Sequence, residues 1–186
     1  MPASETQAVM TTYFDRLLAH WAHRFGSLPK VPRPENSAHP MFVQPPDAED
    51  WIQWKPVART SHDELLAVEA ELGVSLHPSL QDLWGSYWFG DIGGRFKRWF
   101  VELDGVYPED ETYDLRARLV GYRRAHDGRL EKIPIGLEST ADLLVVVDNA
   151  TGHVEIEDYE RRTFEPLADS LAQLIDGLRL TEEIPA

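Results

Sequence analysis

Residues 102–114, ELDGVYPEDETYD, carry six carboxylates (Glu102, Asp104, Glu109, Asp110, Glu111 and Asp114) and no basic residue. Carboxylates at this density can act as a paired acid and base, or present charge to a positive surface. Glycosidase-type hydrolysis needs two acids set at a defined separation, and nothing in the spacing singles out two of these. Pro108 followed by Glu109, Asp110 and Glu111 is also good chemistry for the start of a helix. First-turn acids contribute about 0.3–1 kcal/mol each through the helix dipole. That accounts for three acids. It leaves Glu102 and Asp104, and a second acidic run of Glu155, Glu157, Asp158 and Glu160. In a strand, Glu155 and Glu157 share one face, which predicts that this face is not buried.

The whole chain has the same bias, with 32 Asp and Glu against 18 Lys and Arg, a formal net charge of −14 over 186 residues. Such a chain repels nucleic-acid phosphates rather than releasing their counterions; a basic protein surface suits it better. Other chemistry finds little support. GDIGG at 90–94 lacks the glycine spacing of a dinucleotide fingerprint, and no Lys-Ser or Lys-Thr follows as in a phosphate loop, so it predicts a tight loop. His20 and His23 stand three apart on a helix with no third ligand suggested nearby, which predicts solvated histidines and no metal. There is no serine nucleophile elbow, and the absence of cysteine excludes disulfides and thiolate chemistry. No cofactor is implied. The N-terminal residues have neither the basic nor the apolar region of a secretory signal. The longest strongly apolar run, Leu143-Leu144-Val145-Val146-Val147, is far shorter than a membrane span. A cytoplasmic location is expected.

The elements that must position these acids follow from periodicity. Residues 5–25 carry Val9, Tyr13, Leu17, Trp21 and Phe25 at helical spacing, widened by Met10, Phe14 and Leu18 and closed by Gly26. Six of the thirteen prolines fall in residues 28–46, which predicts an extended connector. Trp51 and Trp54 mark a short strand. A helix with a Ser61/Glu64 capping box ends at Gly73, and a second opens at His77-Pro78 and runs through SLQDLWGSYW. After the FGDIGG loop, RFKRWFVEL reads as one strand, and residues 108–126 as the acidic helix. Strands at 132–137, 143–148 and 153–158 follow, with a turn at residues 149–152, and a helix at 167–178 ends the pattern. The expectation is a single α+β domain over 1–186: an N-terminal helix (1–27), a proline-rich connector (28–46), and a core (47–180) in which a mixed or antiparallel sheet packs against helices.

In order, several segments resemble the Syd family of SecY-interacting proteins, within the wider SUKH immunity and regulatory superfamily. They are YFDRLLAHW in the first helix, WKP at 54–56, VEAELGVSLHPSL at 68–80, FGDIGGRF at 89–96, YPEDETYDLRARLVGY at 107–122, NATGHVEIE at 149–157 and LADSLAQLIDGL at 167–178. The resemblance covers nearly the whole chain and rests on order and spacing more than on any one motif. Tyr122 departs from it where the family has a histidine. Thr112-Tyr113-Asp114 replaces an aromatic followed by basic residues, and the stretch at 38–41 lacks the family's cysteine.

The resemblance implies a cytosolic, non-enzymatic protein. A concave acidic surface would dock on basic cytoplasmic loops of SecY, the channel subunit of the translocase, at the cytoplasmic face of the inner membrane. A regulatory or checking role in translocase assembly follows. Carried over by position, the contact residues are Asp91, Glu109, Asp110 and Glu111; Glu102, Asp104 and Asp114 join them for their charge. Tyr107 and Trp88 are candidate aromatic anchors, with core packing the alternative for Trp88. An immunity protein covering the basic site of a cognate toxin would use the same acidic face, and a carboxylate-pair hydrolase is a third, weaker reading. If residues 109–111 form the contact, replacing all three by Lys abolishes partner binding while the protein still melts cooperatively; undiminished binding by a folded triple variant rules that contact out.

Overall fold

A computed structural model describes residues 4–34, 37–43, 45–108 and 114–180. Helix α1 (Glu5–Phe25) starts where the Ser4 hydroxyl accepts the Gln7 N–H and stops at Gly26, whose left-handed backbone (φ +63) returns its N–H to Ala22. Its buried stripe is Met10, Tyr13, Phe14 and Leu17, with Thr6 at the start; Phe25 is left half exposed. Strands β1 (Lys30–Pro32), β2 (Phe42–Val43) and β3 (Trp51–Trp54) form a small antiparallel sheet in the order β1-β3-β2. The proline-rich segment is therefore not a bare connector. Pro32 lies on the edge strand β1 and Pro40 in a turn, where a missing N–H costs little, and Val31 and Phe42 reach the core.

Strand β4 (Val57–Ala58) pairs with β5 (Tyr87–Trp88) around two helices, α2 (Asp63–Leu72) and α3 (Pro78–Ser86). The predicted capping box is not formed. Ser61 Oγ accepts from Asp63 N, and Glu64 instead pairs with Arg59 at 2.8 Å. Helix α3 begins at the expected Pro78, but Tyr87 and Trp88 leave it for β5.

The main sheet has six antiparallel strands, β6 (Ile92–Phe96), β7 (Trp99–Leu103), β8 (Lys132–Glu138), β9 (Leu143–Asp148), β10 (Val154–Asp158) and β11 (Thr163–Ala168), lying side by side in chain order. Four of its connections are hairpins. Each carries one residue in the left-handed region: Lys97, Asp142, Gly152 and Arg162. Lys97 splits the single strand expected at RFKRWFVEL into β6 and β7. Residues 163–168, partly read as helix, form the edge strand β11 and leave α5 (Leu171–Gly177) a shorter helix, N-capped by Ser170. Helix α4 (Leu115–Ala125) links β7 to β8 and packs on β8. It is capped by Asp114, seven residues later than residues 108–126 predicted. Helices α1, α3 and α5 and the main sheet enclose one hydrophobic core, which makes this a single α+β domain with antiparallel pairing throughout the described strands.

Glu157 overturns one expectation. It lies on β10 but is only 2% exposed, because α4 covers it. The Tyr122 hydroxyl donates to its Oε2 at 2.7 Å, and His126 Nε2 lies 2.5 Å from its Oε1. A carboxylate with two such partners tolerates burial. No helix among the described residues is long and apolar enough to cross a membrane.

One close approach fixes the strand that carries the acids. At Gly136 of β8, a Cβ would stand 2.0 Å from the Glu102 carbonyl oxygen and 2.8 Å from Leu103 Cα. Backbone cannot yield as a side chain can, so Gly136→Ala is expected to destabilise the fold by about 1–3 kcal/mol. Gly121→Ala, on an exposed turn of α4 with nothing near its Cβ position, should instead stabilise by about 0.5–1 kcal/mol. Urea denaturation of the two variants checks the opposite signs.

Candidate functional site: an acidic groove edged by tryptophan

Strand β7 alternates. Val101 and Leu103 are buried in the core, while Glu102 is exposed and Asp104, just past the strand, is partly exposed. Ile92 of β6 pairs with Leu103 and Gly93 with Glu102, which brings Asp91, the residue before β6, beside the same acids. A two-way bridge between Phe89 and Val106 (N···O 3.0 and 2.8 Å) ties the two segments together. Asp91 Oδ1 accepts the Gly105 N–H at 2.7 Å, and the Asp91 N–H donates to the Tyr107 hydroxyl at 3.2 Å. Asp104 donates its N–H to Ile135 and its carboxylate pairs with Arg118 of α4.

Burial pushes the Asp91 carboxyl up to about 6; the charges of Asp104 and Glu102 act in the same direction, while the Gly105 N–H and the Tyr107 hydroxyl oppose it. Burial likewise raises Asp104, against the pull of Arg118.

Asp91 and Glu102 line a groove of about 300 Å³ whose other walls include His20 and Trp21 of α1 and Trp51 and Trp54 of β3. The cation on its wall, Lys30, is held by Asp47 at 2.7 Å. GDIGG is not a phosphate loop here. Gly93 and Gly94 belong to β6, where Gly93 exchanges hydrogen bonds with the Tyr13 hydroxyl. A Cβ on Gly94 would meet the Arg179 carbonyl oxygen at 2.6 Å. Carboxylates beside tryptophan faces suit the side chain of a lysine or arginine, by ion pairing and by cation–π contact. Among the described residues, no group of three His, Asp or Glu is placed to hold a metal.

The structure thus brings Asp91, Glu102 and Asp104 together. Tyr107 sits beneath them, not on the surface: it is 7% exposed and stacks on Phe42, so its visible role is to hold Asp91. Asp114 accepts from Arg116 N at 2.8 Å as the cap of α4. Glu109, Asp110 and Glu111 lie outside the described residues. Trp88 is half buried under the Arg59 guanidinium, 3.8 Å from its ring. Sequence reasoning missed Trp51, which is 41% exposed at the groove. The signal was present in DWIQWKP, since strand periodicity turns residues 51 and 54 to opposite faces and only Trp54 enters the core.

The raised Asp91 has a testable consequence. Its folded value lies above the unfolded 3.8, so the folded state holds more protons in between, and stability falls as pH rises from about 4 to about 6. Asp91→Asn removes that fall. The variant should match the parent at pH 3.5 and exceed it by about 1–2 kcal/mol at pH 7.5, less than the full shift because the groove is open to water. Urea titrations at the two pH values check this.

Comparison with known proteins gives the family. A family model described as Syd protein (SUKH-2) matches residues 7–179. Protein Syd of Photobacterium profundum is 27% identical over 135 residues, 71% of this chain and 73% of that protein. Protein Syd of Pectobacterium atrosepticum is 25% identical over 177 residues (94% and 96%), and that of Aliivibrio salmonicida 24% over 181 residues (96% and 97%). With the family pattern running through all the elements that build the groove, the chain belongs to the Syd family.

Proposed function

We propose that this protein binds the basic cytoplasmic loops of the SecY channel through the groove of Asp91, Glu102 and Trp51, and through that contact regulates or checks assembly of the translocase at the cytoplasmic face of the inner membrane. The observation that carries this is the convergence in one groove of exposed tryptophan with Asp91 and Glu102, acids that form no salt bridge among the described residues, on a chain of net charge −14. Membrane proteins concentrate Lys and Arg in their cytoplasmic loops, so the charge has a natural counterpart there. Long-range attraction speeds encounter and sets orientation, while Trp51 and the desolvated Asp91 supply the contacts that slow release.

Binding to purified SecY in nanodiscs, at low salt and at about 0.5 M where the screening length falls to roughly 4 Å, tests the proposal. Affinity should fall sharply at the higher salt. It should also rise with pH through about 6, because a cation in the groove favours the ionised form of Asp91. Asp91→Asn should flatten that rise, and Trp51→Ala should weaken binding about tenfold or more. Salt-independent binding, or full affinity in a folded Trp51→Ala/Glu102→Gln variant, contradicts the proposal.

A further inference from the structure

Two tryptophans of this fold carry a guanidinium on the ring, and in each case a carboxylate holds the cation there. Arg59 lies over Trp88, 3.8 Å from the ring centroid, and pairs with Glu64 at 2.8 Å. Arg98 lies over Trp99 at 4.5 Å and pairs with Glu165. The lysines that approach a ring stand farther off and over phenylalanine, Lys97 5.2 Å from Phe96 and Lys132 5.3 Å from Phe164. The acidic groove brings together the same two components, a tryptophan face and carboxylates, but the chain supplies no guanidinium to them. Among the described residues, no Arg or Lys lies over Trp51, and neither Asp91 nor Glu102 forms a salt bridge.

Desolvation and shape decide which basic side chain suits this place. The groove is about 300 Å³, and Trp21, Trp51, Trp54 and Phe100 share its walls with the acids. A cation that enters between such rings gives up much of its water. An ammonium is compact and strongly hydrated, so it loses most. A guanidinium is weakly hydrated and planar; it can lie flat on an indole while its edge donates to carboxylates. We infer that the groove takes one arginine side chain of the partner in preference to a lysine, its guanidinium on Trp51 and its N–H groups donating to Asp91 and Glu102. The inference rests on the reading of this groove as the partner contact and specifies the residue it selects. Trp21, whose ring lies 4.7 Å from that of the half-exposed Phe25, extends the wall, so apolar residues beside the arginine have a surface to cover.

Short peptides test the preference without SecY. The probes are N-acetyl-Leu-Arg-Leu amide and its counterparts with lysine or citrulline at the centre; citrulline keeps the arginine shape and loses its charge. The indole N–H signal of Trp51, assigned with Trp51→Phe, reports binding by nitrogen-15 NMR at neutral pH and about 0.15 M salt, where long-range attraction is screened. The arginine peptide should give a saturable shift at millimolar concentration. The lysine peptide should bind about fivefold more weakly, and the citrulline peptide should give no shift. Glu102→Gln, at an exposed position, should weaken the arginine peptide about fivefold, and Asp91→Asn gives a second, independent reading of the same requirement. Equal affinity for arginine and lysine, a silent Trp51 signal, or undiminished binding in both variants overturns the inference. A protein that binds SecY but ignores the arginine peptide refutes this inference and leaves the SecY reading standing; one that binds the arginine peptide but ignores SecY does the reverse.

Discussion

The register of β7 between β6 and β8 governs everything built on this edge of the sheet. Because side chains alternate along a strand, one register sends Val101 and Leu103 into the core and leaves Glu102 on the surface, with Asp104 following just past the strand. A slip of one residue would exchange the two sets and bury acid against hydrocarbon. The core fixes the choice by the apolar area of Val101 and Leu103, and Gly136 reinforces it by letting β8 come within backbone contact of Glu102. The bond from Asp104 N–H to Ile135 and the bridge between Phe89 and Val106 then extend the alignment past the strand ends, where Asp91 is held.

On that frame the electrostatics divide into two neighbouring regions joined by one ion pair. Asp91 is kept in a place that disfavours its charge, and a group held where ionisation is costly is a common mark of a binding or reacting site. Asp104, coupled to Asp91 on one side, reaches Arg118 on the other, and Arg118 lines the cavity between α2 and α4. A strongly acidic chain thus sets its acidic groove beside a cavity whose three arginines, Arg59, Arg116 and Arg118, are each held by a carboxylate. The overall charge describes the first and conceals the second.

Much of this was legible in the sequence. The α1 stripe, Gly26 as its cap, Pro78 opening α3, the strands at residues 132–158 with their turn, and the acids of β7 all follow from local pattern, because each is decided by neighbours within a few positions. The misses depend on distant partners. Strands β1 and β2 lie among prolines and form only because β3 supplies their hydrogen bonds. Glu157 is buried by Tyr122 and His126, more than thirty positions away. Tyr107 looks like a surface anchor in an acidic stretch, yet Phe42 and Asp91 hold it inside. The arginine cavity draws on residues 59 to 118 through ion pairs that no periodicity announces.

The central claim, that the groove of Asp91, Glu102 and Trp51 is the surface that meets a basic partner, is tested most directly by site-specific photocrosslinking. A photoreactive amino acid at position 51 should crosslink to the cytoplasmic loops of SecY, and the same group at position 159, an exposed aromatic site just past β10 near the other end of the six-stranded sheet, should not. Crosslinking from position 159 with none from position 51 would contradict the account.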